Sequence, residues 1–219
     1  MGLDMYLERI PRYGNIIPSE VGRLDVYFDW KRAKQDPKSS AKKHTLKNWC
    51  GVDYKDVPTG KAREFYATKY KVNEYGYYSI FEEVGYWRKV NHIHNWFVEN
   101  IQDGIDDCRY HREVTKEDLE ELFDVCHEVL CSCEMTDEKI VVGFQYSNGE
   151  RVPIMEDGQI VKDPTVAESL LPCVGGFFFG NTEYDNYYVE SIRDTMDIIT
   201  KVLETTDFEK EMICYLSSW

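Results

Sequence analysis

Residues 2–10 alternate, with Leu3, Met5 and Leu7 on one side and Asp4, Tyr6 and Glu8 on the other. A period of two is that of a half-buried strand. Leu24–Trp30 (LDVYFDW) alternates again and reads as a second strand. Residues 31–63, rich in Lys, Ser, Asp and Gly with Pro37 and Pro58, read as a long and mobile excursion. Arg63–Tyr70 fits a strand or a short helix equally well. From Gly85 the period changes. In Tyr86–Ile101, Trp87, Val90, Phe97 and Ile101 recur at three- and four-residue steps with His94 between them. That spacing predicts an amphipathic helix, with Gly104 in the stop position beyond it.

Arg109–Val114 reads as a short strand. Thr115 then caps a helix, with Asp118 completing an approximate capping box. Its buried stripe is Leu119, Leu122, Phe123, Cys126, Val129 and Leu130. Lys139–Tyr146 and Arg151–Met155 read as the arms of a hairpin around Ser147-Asn148-Gly149, and Asp157-Gly158 as a further turn. Asp163-Pro164 opens a short helix that Pro172 closes. Gly175–Gly180 is apolar on both faces and bracketed by glycine, the pattern of a central strand. Asn186–Glu204 carries Val189, Ile192, Met196, Ile199 and Leu203 on one helical stripe, and Met212–Leu216 reads as the last strand. Helices and strands interleave without regular βαβ units. The expectation is one α+β domain over residues 1–219, with a mainly antiparallel sheet and helices packed on one face.

Composition narrows the field. Aromatics make up 14% of the 219 residues, too many for a disordered chain. No stretch of about 18 apolar residues is present to span a membrane. Met1-Gly2-Leu3-Asp4 has neither the basic nor the apolar region of a secretory signal, so a cytoplasmic location is expected. Forty Asp+Glu against 26 Lys+Arg give a net charge of −14, which disfavours binding to a phosphate backbone. The charge is uneven. Residues 31–71 hold twelve Lys/Arg and four Asp/Glu, a net of +8 that leaves −22 on the remainder. Such a run is a solvated basic loop, or an arm that docks on an acidic partner or on the chain's own acidic body. Seven cysteines, an odd number, argue for reduced thiols and against a disulfide framework. Cys131-Ser132-Cys133 lacks the companions of a zinc set, so no metal or other cofactor is expected.

Motifs that would announce a chemistry are missing: no GxxxxGK[ST], GxGxxG, GxSxG or HExxH occurs. Candidate sites rest on clusters instead. Along the helix expected at 86–101, Arg88, Asn91, His92, Asn95 and Glu99 form a polar stripe, while His94 lies among Trp87, Val90 and Ile101. His92 and His94 stand about 200° apart on a helix and cannot share a metal. His94 reads as a hydrogen-bonded core residue or as a base held in a pocket. Arg88 reads as a salt-bridge partner of Asp106 or Asp107, or as a fork for phosphate or carboxylate. Asp103, Asp106 and Asp107 are weak candidates for a hard cation, and a polar turn explains them as well. In Phe177–Tyr188, Asp185 suits an N-cap, and Tyr184, Tyr187 and Tyr188 offer stacking faces with hydroxyl handles.

GLDMYL, Glu83–Cys108 (EVGYWRKVNHIHNWFVENIQDGIDDC), Arg151–Pro172 (RVPIMEDGQIVKDPTVAESLLP) and Gly176–Tyr188 (GFFFGNTEYDNYY) resemble a family of uncharacterised proteins encoded in bacteriophages and prophages. The resemblance implies a cytoplasmic accessory protein in the host cell and assigns no catalytic residue. Three readings follow. The first is a non-enzymatic phage protein that binds a host protein or a small anionic ligand, for instance a signal nucleotide. Its pocket would be lined by Trp87, Arg88, Asn91, His94, Tyr184, Asp185 and Tyr188. The second is a hydrolase or nucleotide-processing enzyme with His94 as base, and with Asp106, Asp107 or Asp185 orienting it or holding Mg²⁺. The third is an acidic mimic of nucleic acid.

Overall fold

In the computed structural model the described residues are 2–106, 111–147, 150–176 and 179–219. The centre of the fold is a four-stranded antiparallel sheet of β1 (Asp4–Pro11), β4 (Glu82–Arg88), β5 (Arg112–Val114) and β8 (Glu211–Ser218), in the order β4-β1-β8-β5. The strands β1 and β8 pair from Asp4↔Ser218 to Pro11↔Glu211, and β1 pairs β4 from Asp4↔Arg88 with an irregularity after Leu7. The α+β class expected from the pattern is the class observed.

Alternation along the strands separates two cores. Leu3, Met5, Leu7, Trp87, Ile213 and Tyr215 face α4 (Asn91–Ile101), α5 (Lys116–Ser132) and α7 (Asn186–Thr205). The capping box at Thr115 fixes the start of α5, where the Thr115 hydroxyl accepts from the Asp118 amide and the Asp118 carboxylate from the Thr115 amide. Close approach of α7 to the sheet requires Gly85, because a Cβ there would lie 2.6 Å from Ile198 Cγ2. On the other face Ile10, Met212 and Cys214 meet α1 (Pro18–Ala33), and α2 (Leu46–Cys50) and α3 (Lys61–Ala67) complete that layer, so helices cover both faces of the sheet and not one as expected. Two further hairpins are β2 (Lys71–Val72) with β3 (Tyr78–Ser79), and the long β6 (Met135–Ser147) with β7 (Glu150–Val161). The short helix α6 (Thr165–Leu170) joins β7 to the loop before α7.

Several local expectations are corrected. Leu24–Trp30 is helix, not strand. Val21, Leu24 and Tyr27 are buried at three-residue steps, Pro18 occupies the first helical turn, and the Glu20 carboxylate accepts from the Ile17 amide at 3.1 Å. Seven residues of alternation fit either period, and the flanking start signals decide. The basic stretch is not open chain. Ala41, Leu46, Val57 and Tyr66 are buried between its short helices, spaced too irregularly to produce a periodic signal. Tyr86–Ile101 is not one helix: β4 runs through Arg88, and the chain turns at Lys89 (φ +60) before α4 begins at Asn91. Asp157-Gly158 lies inside β7 opposite Lys139 and Glu138, because Ile140 packs over Gly158 where any Cβ would clash at 2.5 Å. Of the strand expected over 175–180, Phe177 and Phe178 lie outside the described residues, and the described neighbours form no strand. The hairpin turn at Asn148-Gly149 also lies outside them, as do Asp107 and Cys108.

Candidate functional site

The turn between β4 and α4 is built by competing demands. The Lys89 amide donates to the Leu3 carbonyl at 2.8 Å, which extends the β1–β4 pairing one residue past Arg88. The next residues must enter a helix, and Lys89 absorbs the change in the left-handed region. A residue with a Cβ is strained there by roughly 1 kcal/mol or more. Gly180 (φ +103) closes over this turn, and a Cβ on it would sit 2.8 Å from the Lys89 carbonyl oxygen. Two unusual backbone positions therefore face each other.

Asn91 ties the two segments together. Its amide nitrogen donates to the carbonyls of Asn181 (2.8 Å) and Phe179 (3.2 Å), and its oxygen accepts from the Val174 amide (2.9 Å). Asp185 caps α7 through the Tyr188 amide and accepts from the Asn181 side chain at 3.0 Å. These bonds hold the 173–185 loop against the start of α4.

Between this turn and the first two turns of α7 lies a cavity of about 460 Å³. One wall is Tyr86, Arg88, Lys89, Asn91 and His92. The other is the polar stripe Tyr187, Glu190, Ser191 and Asp194 of α7, with Glu183 and Asn181 at the loop. Arg88 and Lys89 stand against Glu183, Glu190 and Asp194, one negative charge in excess. The Arg88 guanidinium is more than half exposed and its carboxylate neighbour is Asp4 at 3.6 Å, not Asp106. Lys89 forms no ion pair among the described residues. The Tyr187 ring is 53% exposed.

Of the residues anticipated from sequence, Trp87, Arg88, Asn91 and Tyr188 line this cavity, whereas His94, Tyr184 and Asp185 do not. The Tyr188 hydroxyl donates to the Leu171 carbonyl at 3.0 Å, and the Tyr184 hydroxyl accepts from the Cys173 amide, so both rings serve the loop. Asp185 is fully buried in its capping role. Trp87 donates to Thr195 of α7 at 3.0 Å. His94 is 1% exposed and packs on Tyr215 and Phe179. A neutral imidazole satisfies both contacts: Nδ1 accepts from the Tyr215 hydroxyl (2.7 Å) and Nε2–H donates to Asp106 (3.1 Å). Burial holds its pKa below the usual value despite the opposing pull of Asp106. Asp106 also accepts from the indole of Trp219 at 3.2 Å. No cluster of three metal-ligating side chains occurs among the described residues.

Lys89, Gly180 and, on α7, Glu190, Ser191 and Asp194 were not anticipated from the sequence, although Tyr187 was. The available signal was the 187, 190, 191, 194 spacing, which puts four polar-tipped side chains on one helical face. Ser191 and His92 both border the cavity with Oγ and Nε2 3.2 Å apart. They do not form a nucleophile–base couple. The Ser191 proton is directed to the Tyr188 carbonyl at 2.8 Å. Burial pushes the His92 pKa down to about 3, too weak a base to activate a hydroxyl at neutral pH.

No family model, curated protein or solved structure matches this chain.

Proposed function

We propose that the chain is a binding protein without catalysis of its own, and that the cavity at the β4–α4 turn takes a small ligand bearing one negative charge beside a planar ring. The observation that carries this reading is the strained Lys89, held by Leu3 and Gly180, which brings an ammonium with no ion pair among the described residues and the neighbouring Arg88 guanidinium to one wall. Strained backbone persists where the surrounding structure enforces it, and such positions gather at ligand clamps. Arg88 supplies a planar fork for a carboxylate or phosphodiester. The exposed Tyr187 ring supplies a stacking face with a polar tip. Glu183, Glu190 and Asp194 repel a polyphosphate, so a compact monoanion such as a cyclic nucleotide suits the lining better than a nucleoside triphosphate.

The test is a thermal-shift screen of cyclic mononucleotides and aromatic carboxylates, followed by calorimetry on any that stabilise. A ligand at about 100 times its Kd adds about 2.7 kcal/mol. For a chain of this size that raises Tm by about 5–10 °C. Arg88→Ala and Tyr187→Ala, both exposed positions, should fold normally and lose at least tenfold in affinity. A panel without a stabilising member, or one whose ligands bind both variants undiminished, refutes the reading.

A further inference from the structure

The layer made by α1, α2, α3 and the short turns between them carries the +8 charge of residues 31–71, on a molecule whose remainder carries −22. Two of its acidic groups are already engaged. Asp29 pairs with Arg32 at 2.6 Å, and Asp53 accepts from the Lys55 amide with Lys47 and Lys55 at 3.8 and 3.9 Å. Among the described residues Lys34, Lys42 and Lys43 form no ion pair. These three lysines and Lys47 border a shallow cavity of about 600 Å³ in which Asp53 is the sole carboxylate among the described residues. Two aromatic side chains complete it: Trp30, whose indole donates to the His44 carbonyl at 3.3 Å, and Tyr54, which is 52% exposed. Lys34 lies 4.3 Å from the centre of the Trp30 ring, and Arg63 backs Tyr54 at 5.6 Å.

We infer that this basic, aromatic hollow is a second binding site, distinct from the cavity at the β4–α4 turn, and that its ligand is single-stranded nucleic acid. Four lysines in one concavity supply the phosphate contacts, and the tyrosine and tryptophan supply flat surfaces for bases. That combination marks strand-tracking sites without sequence preference. An acidic peptide would meet the same lysines but would have no use for the rings. The net charge of −14 alone points away from nucleic acid. Charge is felt locally, however, because the Debye length is about 8 Å at physiological ionic strength. A phosphate at Lys42 or Lys43 is therefore screened from the acidic body beyond that range, and the segregation of charge matters more than its sum.

The experiment is fluorescence anisotropy with a labelled 15-nucleotide oligo-dT, its duplex form and a polyglutamate peptide of equal charge, each titrated with the full chain across a salt series. Four phosphate contacts on a single strand give a log–log salt slope near −3, about a 50-fold loss in affinity between 50 and 200 mM. The double variant Lys42→Glu/Lys43→Glu should bind at least tenfold more weakly. Lys116→Glu/Lys201→Glu changes the net charge equally on α5 and α7 and should bind nearly as wild type. Unchanged far-ultraviolet dichroism and melting show that each variant is folded. The inference is overturned by no oligonucleotide binding at 50 mM salt, by equal losses in the two double variants, or by duplex or polyglutamate binding as tightly as the single strand.

Discussion

Asn91 is the residue on which the cavity wall depends, and its replacement has a calculable effect. It is 2% exposed and makes three hydrogen bonds to the backbone of the 173–181 loop. Asn91→Ala removes all three and leaves two carbonyls and one amide to find other partners. At about 1 kcal/mol net per bond the loss is about 3 kcal/mol. For a chain of this length that lowers Tm by about 6–12 °C. Asn91→Asp is the sharper test because it preserves shape. It keeps an acceptor for the Val174 amide but points an oxygen at the Phe179 and Asn181 carbonyls. At pH 7 it should cost at least as much as alanine. Protonation restores one donor, so the pKa of the new carboxyl is raised, and stability relative to wild type should recover as pH falls through it. Urea unfolding followed by tryptophan fluorescence measures both. Hydrogen exchange at the Val174 amide should accelerate in Asn91→Ala and stay slower in Asn91→Asp. Both variants within about 0.5 kcal/mol of wild type, with Val174 still protected, would refute the role given to this side chain.

Other consequences are separately measurable. Gly180→Ala places a Cβ 2.8 Å from the Lys89 carbonyl at a φ of +103, and should destabilise by about 1–3 kcal/mol in denaturant unfolding while weakening any cavity ligand. Asp25 is held by the Ile80 amide (2.6 Å) and Ser79 (3.3 Å), and burial raises its pKa to about 6. The folded state therefore holds this proton more tightly than the unfolded state, so the contribution is full below about pH 4 and is lost as pH rises to about 6. The amide of Asp25→Asn keeps the acceptor and cannot ionise. Its stability relative to wild type should climb by about 3 kcal/mol over that window and then level off, and a pH-independent difference would contradict this. His92 has the opposite sign. Its lowered pKa gives a contribution present above about 6.5 and lost progressively toward about 3, so acid unfolding of His92→Gln should show a shallower pH dependence than that of wild type. Tyr215→Phe leaves His94 Nδ1 unpaired in the core, and should cost about 1–3 kcal/mol without altering ligand affinity at the cavity. A change in affinity would place His94 in the site after all.

The long helices were readable because an amphipathic stripe survives tertiary context. Thr115 and Asp185 announced the starts of α5 and α7, and Val189, Ile192 and Ile199 the buried face of α7. The central strands β1 and β8 were readable for the analogous reason. What failed was local pattern under tertiary control. The turn at Lys89 leaves no local trace, since the bond that enforces it comes from Leu3, 86 positions earlier. Without that turn, Trp87 and Asn91 merge into one apparent helix, and Arg88 and His92 into one apparent stripe. Gly158 resembles a turn residue but is a strand position cleared for Ile140. Leu46 and Tyr66 bury themselves in short helices too brief to show periodicity, and Val57 in the turn between them. His94 shows the limit for sites: an apolar neighbourhood was foreseeable, but the hydroxyl and carboxylate that hold it come from Tyr215 and Asp106 through the fold.

The cavity at the β4–α4 turn is the proposed seat of the ligand, on which the other functional predictions depend. A two-dimensional ¹⁵N NMR titration with a stabilising member of the anion panel examines this residue by residue. Saturable shifts should be confined to residues 86–92, 179–183 and 187–194, with slowed exchange of the Lys89 and Gly180 amides. Shifts centred elsewhere, or a spectrum that no member of the panel perturbs, would contradict the account at its base.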